Sequence, residues 1–191
     1  MTTATQRIRL IQITGVVVVV LLMILLLRAQ GRLLLCECGY FETWTSDTCS
    51  ANNSQQLFDP YSLTHVLHGI LFFWLIALLF KRMPSGWQLW LALLLESAWE
   101  VFENTRFVIE RYRTATAALG YTGDTVVNSI GDLACALIGF WIARRVGFRG
   151  SIILFLLVEL ILILWIHDSL LLQLLMLIRP VEAIKSWQMC V

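Results

Sequence analysis

Three glutamates, Glu96, Glu100 and Glu103, recur at intervals of four and three residues within the segment LLLESAWEVFENTRFVIERYR. On a helix they form one stripe about 10 Å long. Upstream, SLTHVLHG sets His65 and His68 three residues apart, on one helical face. Downstream, GDTVVNSIGDL spaces Asp124, Asn128 and Asp132 by four, and WIHDS adds His167 and Asp168. Such groups support three kinds of chemistry. Imidazoles with carboxylates make a mixed nitrogen and oxygen ligand set suited to a divalent zinc, iron or manganese ion. Crowded carboxylates separate in proton affinity, which sets an acid beside a base. A file of ionisable groups also serves as a proton or cation path. The plain alternative is hydrogen bonding between helices, at about 1 kcal/mol per bond.

The elements that carry these residues are strongly apolar. The 191-residue chain is 59% hydrophobic and 14% charged, with a mean hydropathy of +0.77. Its excess over the roughly half-apolar composition of soluble domains lies in long runs. A membrane-crossing helix needs about 20 such residues, and five segments qualify: about 10–27, 61–80, 87–105, 125–143 and 151–172. The turn signals KRMPSG and RRVGFRG separate the second span from the third and the fourth from the fifth. The expected fold is all-α, a polytopic membrane protein of about five transmembrane helices, in one integral domain over 1–191. A net charge of +1 without a long basic block excludes a nucleic-acid partner. The first span reads as an uncleaved anchor, because its apolar run is longer than a signal-peptide core and Arg28 stands just before the small-residue pair.

Compact, unopposed basic clusters mark the cytoplasmic side of a membrane protein. Arg7, Arg9, Lys81, Arg82, Arg144, Arg145 and Arg149 fall together if the N-terminus is cytoplasmic, and the C-terminus is then periplasmic. That topology brings the polar residues to matched depths in the outer half. His68, Glu96 and Asp132 are deepest, and His65, Glu100 and Asn128 stand a turn above. Glu103 and Asp124 lie near the surface, with His167 at the same level. A charged residue at mid-membrane costs at least about 3 kcal/mol, so this many ionisable groups at one depth point to a polar chamber open to the outer side.

Residues 28–60 form an outer loop, expected to be an ordered cap over the chamber. It holds Cys36, Cys38 and Cys49, and Cys190 falls on the same side. An oxidising compartment favours a disulfide among these four, and sequence does not choose the pairing. A zinc site on the C-x-C pair lacks a nearby His. Cys135, inside the fourth span, reads as packing. Between spans three and four, Val108, Ile109, Tyr112 and Ala115 recur at helical spacing, so a short interfacial helix is expected. Its Arg106, Arg111 and Arg113 are candidates for gripping an anionic headgroup or for pairing with Glu103, Glu110 and Asp124. Pro180 opens a final short helix that carries Lys185 and Trp187.

The motifs CECGY, YSLTHVLHGILFF, ESAWEVFENTRFVIERYR, GYTGDTVVNSIGDL and PVEAIKSWQ resemble a family of uncharacterised bacterial multi-pass inner-membrane proteins, a domain of unknown function. The resemblance runs from about Gly31 to the C-terminus and implies a bacterial inner-membrane protein without assigning an activity. A fainter similarity is to VanZ-like membrane proteins, which carry a His early in one span, a Glu in the next and an R…D…N…G run opening another; the longer acidic stripe and the cap loop depart from that pattern. His65 or His68, Glu96 or Glu100 and GDTVVNSIGDL match that arrangement. The leading expectation is an intramembrane enzyme acting on a lipid or isoprenoid-linked substrate at the outer leaflet. Glu96 or Glu100 would be the general base, with His65 and His68 as acids or metal ligands. Glu100 and Asp132 would complete the ligand set, and Asn128 and the three arginines would contact substrate. The rivals are a non-catalytic accessory or assembly subunit, with a membrane-protein partner, and an ion or proton pathway.

Overall fold

The computed structural model describes residues 3–118 and 120–189. Seven helices and no strands occur among the described residues. Helix α1 spans Thr3–Ala29, α2 Ser62–Leu79, α3 Ser85–Glu103, α4 Arg106–Ala115, α5 Val126–Ile166, α6 Leu170–Ile178 and α7 Glu182–Gln188. Three of these are long and apolar enough to cross a membrane: Gln6–Ala29 within α1, Ser62–Leu79 and Val126–Ile166.

Local chemistry sets the boundaries. Pro60 precedes α2 and Pro84 precedes α3, where a missing backbone N–H does no harm. Thr105, Thr125 and Ser169 cap α4, α5 and α6, their hydroxyls accepting from the backbone N–H groups of Val108, Asn128 and Leu172. Gly31 ends α1 with a positive φ of 84°, the left-handed conformation that glycine adopts without strain.

Helix α5 departs from the expected pattern of two spans joined by a loop. It is 41 residues long, and only Gly147, at φ 75° and ψ 179°, leaves the helical region inside it. The chain reverses there. On the first half, Asp132 meets Ser62 and Phe140 meets Phe73. On the second, Ser151 and Phe155 meet Trp74, and Leu162 joins Leu67 in one core cluster. Halves 126–146 and 148–166 therefore run in opposite directions along α2. The fifth expected span also ends early: His167, at φ 55°, breaks the helix and Ser169 starts α6, so 170–172 belong to a separate element.

Helix α2 is the central post. Its Gly69 lies against the backbone of Ala136 and Phe140, and Gly139 of α5 lies against the backbone of Val66. Small residues at such crossings let two backbones approach closely. Helix α3 packs on the other side through Ala92, with Ile76 and Phe140. Helix α1 covers α3 through Met23, Leu27 and Leu93 and leaves most of its surface exposed. The loop between α1 and α2 has no regular structure but is anchored. Leu33 O and Leu34 O accept from Val126 and Val127, and Ser54 O accepts from Thr125, so this loop satisfies the first free N–H groups of α5.

Candidate functional site

At the end of the bundle under this loop, α2, α3 and α5 converge on His65. Its Nδ1 lies 2.5 Å from Glu96 Oε1 and 3.3 Å from Glu100 Oε1, and its Nε2 lies 3.8 Å from Asp132 Oδ2. His68 Nδ1 stands 3.2 Å from Glu96 Oε2. The three-residue step between the histidines and the four-residue step between the glutamates put both pairs on facing stripes. Ser62 Oγ donates to Asp132 Oδ1 at 2.7 Å. The two imidazoles meet edge to face at 4.9 Å, and His68 meets Trp99 in the same way at 5.3 Å.

Glu96 and Glu100 are wholly buried, at 0% exposure. Neither oxygen of Glu100, nor Glu96 Oε2, has a hydrogen-bond donor. Both Nδ1 atoms hydrogen-bond to Glu96 Oε1 instead, at 2.5 Å from His65 and 3.4 Å from His68, and reach Glu100 Oε1 and Glu96 Oε2 at ion-pair distance alone. One Nδ1 thus serves two carboxylates, and a buried carboxylate left without a donor is costly. Such a group is neutralised by a proton or held by a cation.

A cavity of about 480 Å³ opens over this cluster. His65 and Asp132 form part of its wall, whereas His68, Glu96 and Glu100 lie behind them. The rest comes from Asn53 to Gln55 of the loop, Tyr112 of α4, Asn128 of α5, Gln173 of α6 and Gln188 of α7, among others. Glu103, Asp124, Asp132 and Asp168 all line it, and no Lys or Arg does so among the described residues.

The cavity walls are tied together by buried polar contacts. Asn104 and Asp124 form a reciprocal pair: Asn104 Nδ2 donates to Asp124 Oδ2 and Asp124 N donates to Asn104 Oδ1, each at 2.7 Å. Tyr121 donates to the other oxygen of Asp124 at 2.9 Å. Asp59 accepts from Ser54 N and Tyr61 N. Asp168 accepts from Ser169 N and Gln188 Nε2, both at 2.8 Å. Burial raises the carboxyl pKa of Asp59 and of Asp124 and pushes that of Asp168 up to about 6, because desolvation penalises the ionised form.

Other expected site residues stand elsewhere. Asn128 lines the cavity, but its amide donates to Gln56 O at 2.9 Å and holds the loop to α5. Arg106 pairs with Glu110, Arg111 donates to the carbonyls of Leu177 and Ile178, and Arg113 is exposed. None of the three lines the cavity or pairs with Glu103 or Asp124. Helix α4 turns Val108, Ile109, Tyr112 and Ala115 inward, so Tyr112 reaches the cavity from that helix. His167 stacks on Trp187 at 4.7 Å, away from the cluster. The sequence reading passed over Ser62, Asp59, Asn104 and Tyr112. Tyr112 was legible as a hydroxyl on an otherwise apolar helical face; the partners of Asn104 and Asp59 are set by loop geometry.

In the loop, Cys36 and Cys38 form a disulfide, and Cys38 Sγ accepts from the buried Gln56 amide at 3.3 Å. Cys49 is disulfide-bonded too; Cys190 lies outside the described residues. Cys135 is free.

Comparison with known proteins matches residues 27–190 to a family described as "Protein of unknown function (DUF2585)". The chain is 42% identical to UPF0314 protein Atu8092 of Agrobacterium fabrum over 165 residues, covering 86% of this chain and 83% of that protein. It is 42% identical to UPF0314 protein R03235 of Rhizobium meliloti, over 86% of this chain and 84% of that one. A UPF0314 protein of Paracoccus denitrificans is 40% identical, over 83% of this chain and 82% of its own length. No solved structure matches the chain. With nearly the whole chain matched by the family model, the protein belongs to the DUF2585 family.

Proposed function

We propose that the protein is an integral enzyme of the bacterial inner membrane, acting on the polar head of a lipid or isoprenoid-linked substrate. In this reading α1, α2, α3 and the two halves of α5 are five spans. The N-terminus is cytoplasmic, and the cavity opens on the periplasmic side under the 28–60 loop. The basic residues at the opposite end of the bundle, Lys81, Arg82, Arg144, Arg145 and Arg149, support this orientation.

The observation that carries the reading is His65 in the cavity wall with its Nδ1 backed by two buried carboxylates. A backed imidazole is fixed in orientation and in the nitrogen it presents. Its Nε2 points to the side of Asp132, which also faces the cavity. Asp132 accepts the proton of a hydroxyl or water bound there, and His65 stabilises the charge that results. Glu96 and Glu100 act from behind, as orienting groups rather than as the base. An accessory subunit needs no such cavity, and its buried polar groups would be saturated by one another; the donorless Glu100 weighs against it. The acid-lined wall without Lys or Arg repels anions and suits an uncharged or cationic head rich in hydroxyl or amine groups.

The test is the lipid profile of a bacterium deleted for this gene. Mass spectrometry should find a polar lipid or lipid-linked species that accumulates, and the wild-type gene should remove it. Asp132→Asn, inserted at an equal level, should leave it. A deletion with an unchanged lipid profile would set the enzyme reading aside.

A further inference from the structure

The geometry points to a divalent first-row transition-metal site formed by His65, His68, Glu96 and Glu100, directly behind the cavity wall. It deepens the enzyme reading given above and rests on it for its role, though not for its existence.

Donor atoms from His65, His68 and Glu96 all lie within 4.8 Å of one another, and all three residues are buried. Ligands at about 2.1 Å from one ion stand at most about 4 Å apart, so modest side-chain movement closes the set. Glu100 Oε1, 3.3 Å from His65 Nδ1, falls in a second such group with His65 and Asp132 and becomes the fourth donor by turning toward the ion. The independent sign of a missing partner is Glu100 itself, which is 0% exposed with both oxygens lacking a donor and turned toward His65. A cation satisfies these oxygens and Glu96 Oε2 together; the Nδ1 atoms of His65 and His68, both hydrogen-bonded to Glu96 Oε1, do not.

The donor set selects the ion. Two imidazoles with two carboxylates suit Zn(II), Fe(II) or Mn(II), whereas Ca(II) and Mg(II) favour all-oxygen sites. Two carboxylates also balance the charge of a dication. On the far side of the ring, Asp132 faces Nε2, and Ser62 holds Asp132 in turn. A carboxylate on the second nitrogen of a metal-bound histidine fixes its tautomer and raises its basicity as a ligand. Asp132 is therefore a positioning residue for the ion while it faces the cavity. A bound ion takes the place of the proton on Nδ1 and leaves Nε2–H to donate toward Asp132.

The untagged full-length protein, purified in detergent and stripped with chelator, is dialysed against Zn(II), Mn(II) or Fe(II), with Ca(II) and Mg(II) in parallel. Metal content is measured by mass spectrometry and affinity by competition. One equivalent of a first-row ion should be retained, and neither Ca(II) nor Mg(II). His68→Ala and Glu100→Gln should weaken binding at least about 100-fold, Asp132→Asn by about 10- to 100-fold, and His167→Ala should leave it unchanged. Wild-type protein that melts cooperatively yet retains no first-row ion overturns the site, as does equal affinity in His68→Ala. The two readings fail separately. If no ion binds and Asp132→Asn still fails to clear the accumulated lipid, the metal site falls and the acid–base centre stands. If variants that have lost the ion clear the lipid normally, the site stands as structural and its catalytic role falls.

Discussion

A methyl group added at Gly69 probes how closely α2 and α5 must approach for the site to form. A Cβ there stands 2.6 Å from Phe140 N, with Ala136 O nearer still. These are backbone atoms, so no side chain can swing aside. Restoring the 3.4 Å at which ordinary contact begins, for Ala136 O as for Phe140 N, parts the helices by about 1.5 Å. The Ser62–Asp132 hydrogen bond, 2.7 Å long, then stretches to about 4.2 Å, outside bonding range. Overpacking costs about 1–3 kcal/mol, and the lost bond about 1 kcal/mol more. Alanine returns about 1 kcal/mol through helix propensity. The net destabilisation of Gly69→Ala is about 1–3 kcal/mol, and the melting temperature should fall by about 2–12 °C in a chain of this size. Thermal exposure of Cys135, the free thiol among the described residues, to a fluorogenic thiol reagent in detergent reads this directly. Gly120→Ala is the control, because a Cβ there meets nothing within 4 Å; it should melt within about 2 °C of wild type. Gly69→Ala melting at or above wild type would refute the close crossing and the geometry built on it.

Asp168 sets a pH dependence. Its folded pKa of about 6 exceeds the unfolded value near 4, so the folded state holds the proton more tightly. Stability should fall as pH rises from about 4 to 6, by about 3 kcal/mol at most. Asp168→Asn should flatten the melting profile over that window, and an unchanged slope would contradict the assignment. Asn104→Ala removes both bonds to Asp124 and leaves a buried carboxylate short of a donor. It should lower the melting temperature by about 4–12 °C, and a silent substitution would show that Asp124 is solvated. In unreduced, denatured protein, Cys36, Cys38 and Cys49 should resist alkylation while Cys135 reacts, as peptide mapping would read. Labelling of Cys36 or Cys38 would dismiss their disulfide. Reporter fusions after Arg82 and at the C-terminus should report opposite sides of the membrane; a shared side would end the five-span topology.

Long apolar runs and helix-period spacing made the helices legible. The stretches from Ser62 to Leu79 and from Ser85 to Glu103 lie within two residues of the spans expected from composition. The reversal at Gly147 was harder to read. RRVGFRG looks like a loop, yet a single glycine with positive φ turns the chain and helix resumes on both sides. Helix α6 was hidden because its leucines continue the apolar run of α5; the break lies in the left-handed His167 and the Ser169 cap. At the site, spacing alone placed His65, Glu96, Glu100 and Asp132 on helical faces that prove to meet. It did not reveal that Glu96 and Glu100 sit behind the cavity wall, since depth along a helix says nothing about distance from a cavity. The arginines misled for a related reason. Their charge suggested a headgroup contact, but the amphipathic face of α4 fixes which side turns inward, and that side carries Tyr112.

In the proposed mechanism His65 is the working residue of the cavity. A deletion strain carrying His65→Ala is compared with one carrying His167→Ala, both at wild-type membrane levels, and the polar lipid extract is quantified. His167→Ala should restore the wild-type profile, and His65→Ala should leave the accumulated species as high as in the deletion. Full restoration by His65→Ala would contradict that mechanism.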